Sequence, residues 1–504
     1  MPLNNSLHIL GFDFGASSGR AILGRYDGQR LSIEVVHQFP NGPVYCAGRM
    51  HWDVLRFVSE IQEGIRKAAK EAGGPMTSMG IDTWGVDFGL LDKRGELIGN
   101  PYHYRDSRTD GMFEEAFRRM PREKIFSVTG VAFQPFNTLY QLLATRLGAP
   151  GILENASSLL MMPDLLAYLL TGEKGTEYTD ASTTQMLDAT ARTWNVQLLK
   201  AMDFPEHLFE LPSAPGAARG MLLPSVSADL GIAPFPVIAV AGHDTASAVV
   251  ATPLDGPGSA FLSSGTWSLL GAEIDSPRLG PEVMDWNFTN EGGVGGTYRL
   301  LQNVMGLWIL QECQRHWTAA GRTRSYADLV ALAEASESAC ALIDPDHAMF
   351  YAPGNMEERV RSFCARTGQK PPETEGAIVR CILTSLAFKY RFVIERLDHL
   401  VGARVSSLHI VGGGTRNHLL NRLTAQAIGR PVFAGPSEAT AIGNILMQLH
   451  ACGELGNVGE MRSLVRSSFP VQLYPAPGTL ESDDAYERFL QVVQSGVSHV
   501  HSAS

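Results

Sequence analysis

A chain of 504 residues outgrows a single hydrophobic core, so two or more domains are expected. With 44% hydrophobic and 18% charged residues the composition is that of a globular protein, and a formal charge of -11 argues against nucleic acid or an anionic membrane surface as the main partner. An acidic protein can still bind ATP, because a bound cation sets the local sign at such a site.

No run is apolar and long enough to span a bilayer; the most apolar, residues 157–170, is interrupted by Pro163-Asp164. The N-terminal residues lack a basic region and lead almost directly into an apolar run, so no secretion signal and a cytoplasmic location are expected. Cys46, Cys313, Cys340, Cys364, Cys381 and Cys452 are scattered without metal-ligand clustering, so reduced thiols are the default. Cys364 and Cys381 fall at the end of one expected helix and the start of the next, close enough for pairing to stay open.

In chain order, residues 7–13 read as a strand ending in an acid, Asp13. The turn Gly15-Ala16-Ser17-Ser18-Gly19-Arg20 follows, then strands at 21–26 and 31–37 joined by the hairpin signal Asp27-Gly28. Apolar residues at helical spacing predict a helix over 53–72, with short strands at 78–82 and 86–91. Residues 101–213 read as mostly helical, a cap or insertion on the first domain, with loops at 133–137 and 177–180. Residues 211–236 read as loops leading to a buried strand, 235–241. Gly242-His243-Asp244-Thr245-Ala246-Ser247-Ala248 then sets one carboxylate beyond a strand end, ahead of small residues that can start a helix. Ligands of α/β proteins bind there, although by itself Asp244 also reads as a helix cap.

A second start follows: strand 259–262, turn Ser263-Ser264-Gly265-Thr266, strand 267–271. It mirrors the first strand–turn–strand and suggests duplicated α/β domains. Helices at 305–317 and 375–401, a strand at 407–411, Gly412-Gly413-Gly414, a helix from Asn417, a strand at 431–433, a helix at 438–452 and a final helix from Asp483 complete the reading.

Both Ser/Gly turns can bring backbone N–H groups close to phosphate oxygens. Neither is a Walker A loop, since the lysine is missing, nor a dinucleotide fingerprint, since a strand follows. Two such turns at matching places could clamp one polyphosphate between two domains. Asp13, an acid in an apolar strand, is a candidate for holding Mg²⁺ through water. The three glycines after strand 407–411 let the chain pass close to a ligand. Asp82-Thr83-Trp84-Gly85-Val86-Asp87 places an indole beside a glycine, which suits a sugar, though Trp84 also reads as ordinary core. The polar stretch 101–108 lines the same pocket or only buttresses it.

These segments resemble the FGGY carbohydrate kinases in one order from Asp13 to about Leu455. The resemblance rests on Gly15 to Arg20, Ile81-Asp82-Thr83-Trp84-Gly85-Val86-Asp87-Phe88, residues 104–109, Pro135-Phe136-Asn137-Thr138, residues 243–248, Ser263-Ser264-Gly265-Thr266-Trp267-Ser268 and His409-Ile410-Val411-Gly412-Gly413-Gly414. It implies an α/β fold of two actin-like (ribonuclease H-like) ATPase domains with the active site in the interdomain cleft. The expected division is 1–249, sugar-binding and catalytic; 250–470, nucleotide-binding; and a C-terminal extension, 471–504. It further implies ATP-dependent phosphorylation of a ketose, L-rhamnulose, at its 1-hydroxyl. Asp244 matches the catalytic base; Gly85, His243, Thr245 and Asn303 match sugar contacts; Ala16, Ser17, Ser18, Gly19, Arg20, Thr266, Gln311 and Gly413 match nucleotide contacts. ATP and Mg²⁺ are the expected cofactors, and the partners are small molecules, with no nucleic acid and no membrane, in a monomer or small homo-oligomer. Ala16 stands where most members have Thr, and Trp267 where many have Ser; both changes favour the members acting on L-rhamnulose over those acting on glycerol or xylulose. A kinase for fuculose or xylulose is the nearest alternative, and a non-kinase actin-like ATPase or sugar sensor is the alternative from another class.

Overall fold

The computed structural model describes residues 6–256, 258–337, 341–476 and 483–500. It divides into two compact units: unit 1 is Met1–Pro253, Glu273–Leu300 and Ala439–Phe469, and unit 2 is Leu254–Ala272, Leu301–Glu438 and Pro470–Ser504.

Unit 1 is organised on a six-stranded sheet in the order Ala217–Met221, Pro236–Ala239, Ser78–Thr83, Leu7–Phe14, Ser18–Tyr26, Leu31–Pro40. The strand Leu7–Phe14 pairs antiparallel with Ser18–Tyr26 and parallel with Ser78–Thr83, which in turn runs parallel to Pro236–Ala239. Alternation along a strand sends Leu10, Phe12 and Phe14 to one face and Gly11 to the other. The helix Val54–Ala72 covers the first face with Phe57, Ile61 and Ile65, starts where Asp53 accepts the Arg56 N–H, and ends at Gly73 in the left-handed region. The helix Ala439–Ala451 crosses the opposite face. There the Gln448 amide donates to the Leu10 carbonyl and accepts from the Ser78 hydroxyl. A β-carbon on Gly443 would sit 1.8 Å from the Ser247 carbonyl oxygen, so glycine is what lets this helix meet the helix Asp244–Val250.

The 101–213 stretch is largely helical, as expected, but it is built around a hairpin. Phe88–Asp92 pairs antiparallel with Ala156–Met161. The apolar run of 157–170 therefore splits into a strand and the helix Met162–Thr171, with Pro163 in the first helical turn, where its missing N–H costs no hydrogen bond. Leu139, Tyr140, Leu142, Leu159 and Trp194 form a separate core here.

In unit 2, strands follow the order Trp267–Ile274, Ser259–Ser264, Ser407–Val411, Val432–Ala434, Gln472–Tyr474. The long helix runs Glu375–Val401, between the Thr374 cap and Gly402. The helix expected from 305 begins instead at Trp308, because Tyr298–Met305 is a strand. The duplication is visible in the pairing. Ser259–Ser264 runs antiparallel to Trp267–Ile274 and parallel to Ser407–Val411, as Leu7–Phe14 does to its own two partners. Cys364 and Cys381 are both buried, with the Cys381 side chain hydrogen-bonded to Cys364. Cys340 lies outside the described residues. No helix among the described residues is long and apolar enough to cross a membrane.

Candidate active site

Three neighbouring parallel strands of unit 1 each deliver an acid at the carboxyl end. Asp13 and Asp82 are opposed in register, and Thr83 extends the pairing by donating its N–H to the Gly242 carbonyl at 2.9 Å, two residues before Asp244. Asp13 is buried and ion-paired with Arg20 at 2.5 Å. Asp82 is fully buried; its Oδ2 accepts from the Asn444 amide at 2.7 Å, and its Oδ1 has no partner. Burial, then the charges of Asp13 and Asp244, push the Asp82 carboxyl well above the usual carboxylate range against the Asn444 hydrogen bond.

Asp244 is the first residue of its helix rather than the cap, which is His243 and makes no side-chain capping bond. The two oxygens of Asp244 are unlike. Oδ1 accepts from the Thr245 hydroxyl at 3.0 Å and lies 3.4 Å from His243 Nε2, while among the described residues no hydrogen bond reaches Oδ2. The side chain is about a third exposed (32%).

Buried groups hold this loop. Glu177 accepts the Gly242 N–H at 2.9 Å, the Thr179 N–H and hydroxyl, and the Asp180 N–H. Burial raises the Glu177 carboxyl even so. Asp180, also buried, has neither carboxyl oxygen hydrogen-bonded; burial first, then Glu177, push it well above its usual range. Behind His243 stand Glu291 and Arg299, both buried. Arg299 Nη2 is 3.2 Å from His243 Nδ1, Arg299 Nη1 is 3.2 Å from Glu291 Oε2, and that oxygen is 3.4 Å from Nδ1. Burial raises Glu291, but the Arg299 charge together with the His243 hydrogen bond and charge outweighs it and holds the carboxyl below its ordinary value.

Trp84 corrects one expectation. It is 7% exposed, its ring centroid is 3.9 Å from that of Trp52, and its indole N–H donates to Asp87 at 2.9 Å. It is core, not a sugar-stacking face. Asp87 also accepts from the Trp52 indole at 2.6 Å and the Gln141 amide at 2.7 Å, and burial lifts its carboxyl to about 6. The 101–108 stretch buttresses this cluster: Asp106 accepts the Met50 N–H, Arg108 donates to the Gln141 carbonyl and Thr145 hydroxyl, and His103 packs on Trp52. Gly85 is buried, and a β-carbon there would come within 2.9 Å of the Thr183 side chain.

In the first turn Ala16 and Ser17 are exposed, and the Gly15 N–H closes onto the Ser18 carbonyl at 2.9 Å. Gly19 leaves room for the Phe39 ring. A cavity of about 440 Å³ elsewhere in unit 1, between Tyr178, Arg192, Met447 and Val458, includes none of the predicted residues.

In unit 2 the second turn closes with the Gly265 N–H on the Trp267 carbonyl at 2.8 Å. The Thr266 hydroxyl donates to the Gln311 side chain at 3.2 Å, joining two predicted nucleotide contacts. Gly306 and Trp308 donate their N–H groups to the Thr266 carbonyl. Of the three consecutive glycines, two are required by packing on Ser264: a β-carbon at Gly412 would meet its carbonyl at 2.9 Å, and one at Gly414 would meet its hydroxyl at 2.0 Å. Gly413 alone faces open space. A 3₁₀ turn, Gly413–Arg416, intervenes before the helix His418–Ile428, which Asn417 caps. Asn303 lies half-buried on the strand Tyr298–Met305.

The structure thus joins Asp13 with Arg20, Asp244 with His243 and Thr245, and Thr266 with Gln311. Sequence reasoning missed Asp82 as a site residue, and also Glu177, Glu291, Arg299 and Asn444. Arg299 carried a legible signal, a charge inside an apolar strand, the same signal that exposed Asp13.

Residues 8–251 match the N-terminal domain, and residues 260–452 the C-terminal domain, of the FGGY family of carbohydrate kinases. A protein of Bacteroides thetaiotaomicron named Rhamnulokinase is 45% identical over 482 residues, covering 96% of this chain and 98% of its own. One of Pectobacterium atrosepticum with the same name is 41% identical, covering 97% of each chain. Among solved structures, gluconate kinase from Lactobacillus acidophilus superposes with a TM-score of 0.79 at 16% identity, covering 99% of each chain. Xylulose kinase from Rhodospirillum rubrum gives 0.78 at 18% identity, covering 98% of this chain and 99% of its own. With both domain matches in order and such relatives along nearly its whole length, the chain belongs to the FGGY family of carbohydrate kinases.

Proposed function

We propose that the protein transfers the terminal phosphoryl group of ATP to the 1-hydroxyl of L-rhamnulose, giving L-rhamnulose 1-phosphate and ADP, in the cytoplasm. Asp244 is the general base. The observation that carries this reading is the inequality of its two oxygens: Oδ1 is engaged by Thr245, while no hydrogen bond among the described residues reaches Oδ2. As the sugar oxygen bonds to phosphorus and the bond to ADP breaks, Oδ2 takes the hydroxyl proton, help worth roughly 10²–10⁴ in rate. The choice of L-rhamnulose follows the relatives named Rhamnulokinase at 40–45% identity.

In this reading Gly85, His243, Thr245 and Asn303 contact the sugar, and residues 16–20, Thr266, Gln311 and Gly413 contact ATP. Most of the acceleration comes from alignment and charge neutralisation, since phosphoryl transfer has a loose transition state. Mg²⁺ suits the donor set on chemical grounds: Asp13 supplies a carboxylate, and Asp82 beside it has a buried oxygen without a partner, the hard ligands this ion takes directly or through water. When bound it offsets the phosphate charge.

A panel of L-rhamnulose, L-fuculose and D-xylulose with ATP, read as ADP release, tests the proposal. L-Rhamnulose is expected to lead in kcat/KM by about tenfold or more, since lost hydrogen bonds to a sugar hydroxyl discriminate strongly. A higher value for another ketose replaces the substrate; ATP turnover independent of any sugar replaces the kinase with an ATPase or sensor.

A further inference from the structure

The side chain of His243 faces Asp244 with one ring nitrogen and a buried ion pair with the other. Nε2 is 3.4 Å from Asp244 Oδ1. On the far side, Nδ1 meets Arg299 Nη2 at 3.2 Å and Glu291 Oε2 at 3.4 Å. A guanidinium can only donate, so Nδ1 facing Arg299 must accept. In the neutral ring the proton then sits on Nε2, the ring nitrogen 3.4 Å from Asp244 Oδ1. Glu291 presents the opposite demand, because a carboxylate oxygen beside Nδ1 draws a proton there. The two neighbours thus compete for one ring nitrogen.

Arg299 is built to win. It is completely buried, its Nε donates to the Gly292 carbonyl at 2.9 Å, and its Nη1 lies 3.2 Å from the same Glu291 oxygen. The fork therefore engages Glu291 with one arm and Nδ1 with the other, in a fixed plane that a lysine could not reproduce.

We infer that Arg299 is a positioning residue for the base, locking His243 in the Nε2–H tautomer so that the ring presents a proton, not a lone pair, beside Oδ1, the oxygen that Thr245 hydrogen-bonds, and Oδ2 is left as the proton-accepting oxygen. Glu291 is its counter-ion and, if Arg299 is removed, the group that pulls the ring proton to Nδ1. Nε2 would then turn a lone pair toward the Asp244 carboxylate, which repels it. This inference rests on Asp244 being the base, but its primary test does not depend on turnover.

The test is the ¹⁵N spectrum of uniformly histidine-labelled wild-type enzyme, with His243→Asn used only to assign the signal. The expected result is a neutral His243 protonated at Nε2 near pH 8; protonation at Nδ1, or at both nitrogens, overturns the inference. Arg299→Met is expected to move the proton to Nδ1 and to lower kcat about 10- to 100-fold, less than the full share of a general base. Arg299→Met/Glu291→Gln removes the competing acceptor, so the Nε2–H signal and part of kcat are expected to return. If Arg299→Met does not fold, the wild-type spectrum and Arg299→Lys still decide, the latter keeping the charge but losing the fork and so showing mixed tautomers. A folded Arg299→Met with unchanged His243 signals overturns the proposal. Unaltered turnover of Asp244→Asn would instead remove the base assignment while leaving the tautomer result standing.

Discussion

The two strand–turn–strand elements share one scaffold and carry opposite chemistry. In unit 1 the turn is flanked by Asp13 and Arg20, and the neighbouring strand ends add Asp82 and Asp244. In unit 2 the equivalent strand ends in Ser264, and the parallel strand beside it ends in Val411 followed by Gly412; the surrounding groups are hydroxyls, an amide and glycines. The pairing pattern is the same and only the side chains at the carboxyl ends differ. A duplicated frame thus carries acids and an arginine at the strand ends of one copy, and hydroxyls, an amide and closely packed glycine backbone at those of the other.

Replacing Asp244 tests the charged copy most severely. Asp244→Asn is expected to lower kcat by about 10²–10⁴ while ATP and sugar still bind, measured by turnover and by titration of each ligand. Retained turnover would erase the contrast. Asp13→Asn should raise the Mg²⁺ concentration for half-maximal rate about 10- to 100-fold, the usual scale for a residue supporting a metal. An unchanged Mg²⁺ requirement would separate Asp13 from the metal. In the neutral copy, Gly414→Ala places a β-carbon 2.0 Å from the Ser264 hydroxyl and should cost about 1–3 kcal/mol by denaturant titration. Gly413→Ala, facing open space, should stay within about 0.5 kcal/mol of the parent and change only KM for ATP.

A smaller effect follows from Asp164, whose carboxyl burial raises to about 7 despite the nearby Arg219. Its native value lies above that of the unfolded chain, so the native state holds the extra proton. Stability is therefore greatest below about pH 4 for this group and falls as pH rises toward 7, by at most about 1.4 kcal/mol per pH unit. Asp164→Asn should flatten that slope in urea titrations between pH 4.5 and 7; an unchanged slope would assign it to other acids such as Asp87.

Much of the frame was legible because local signals agreed with it. The strands starting at Leu7, Ser78 and Ser259, the helices Val54–Ala72 and Glu375–Val401, and the matching turns all follow from apolar periodicity and from Gly, Ser and Asp at the ends. Asp244 and Asp13 could be singled out because an acid at an apolar strand end needs a reason. Trp84 was read ambiguously because an indole beside glycine suits core and sugar alike; only its stacking on Trp52 decides. The split of 157–170 into strand and helix was hidden because an uninterrupted apolar run has no period of its own.

By itself the sequence determined the duplicated α/β plan and the family, and singled out Asp244 as the candidate base. Those depend on the order of residues along the chain. The tertiary structure decided which oxygen of Asp244 is engaged, that Glu177 holds the loop, and that Arg299 and Glu291 stand behind His243. These groups are 47–67 residues from Asp244 in sequence and meet it or its neighbours only after the chain folds. The field and hydrogen bonds at a carboxylate are set by distance in space, which local sequence does not encode.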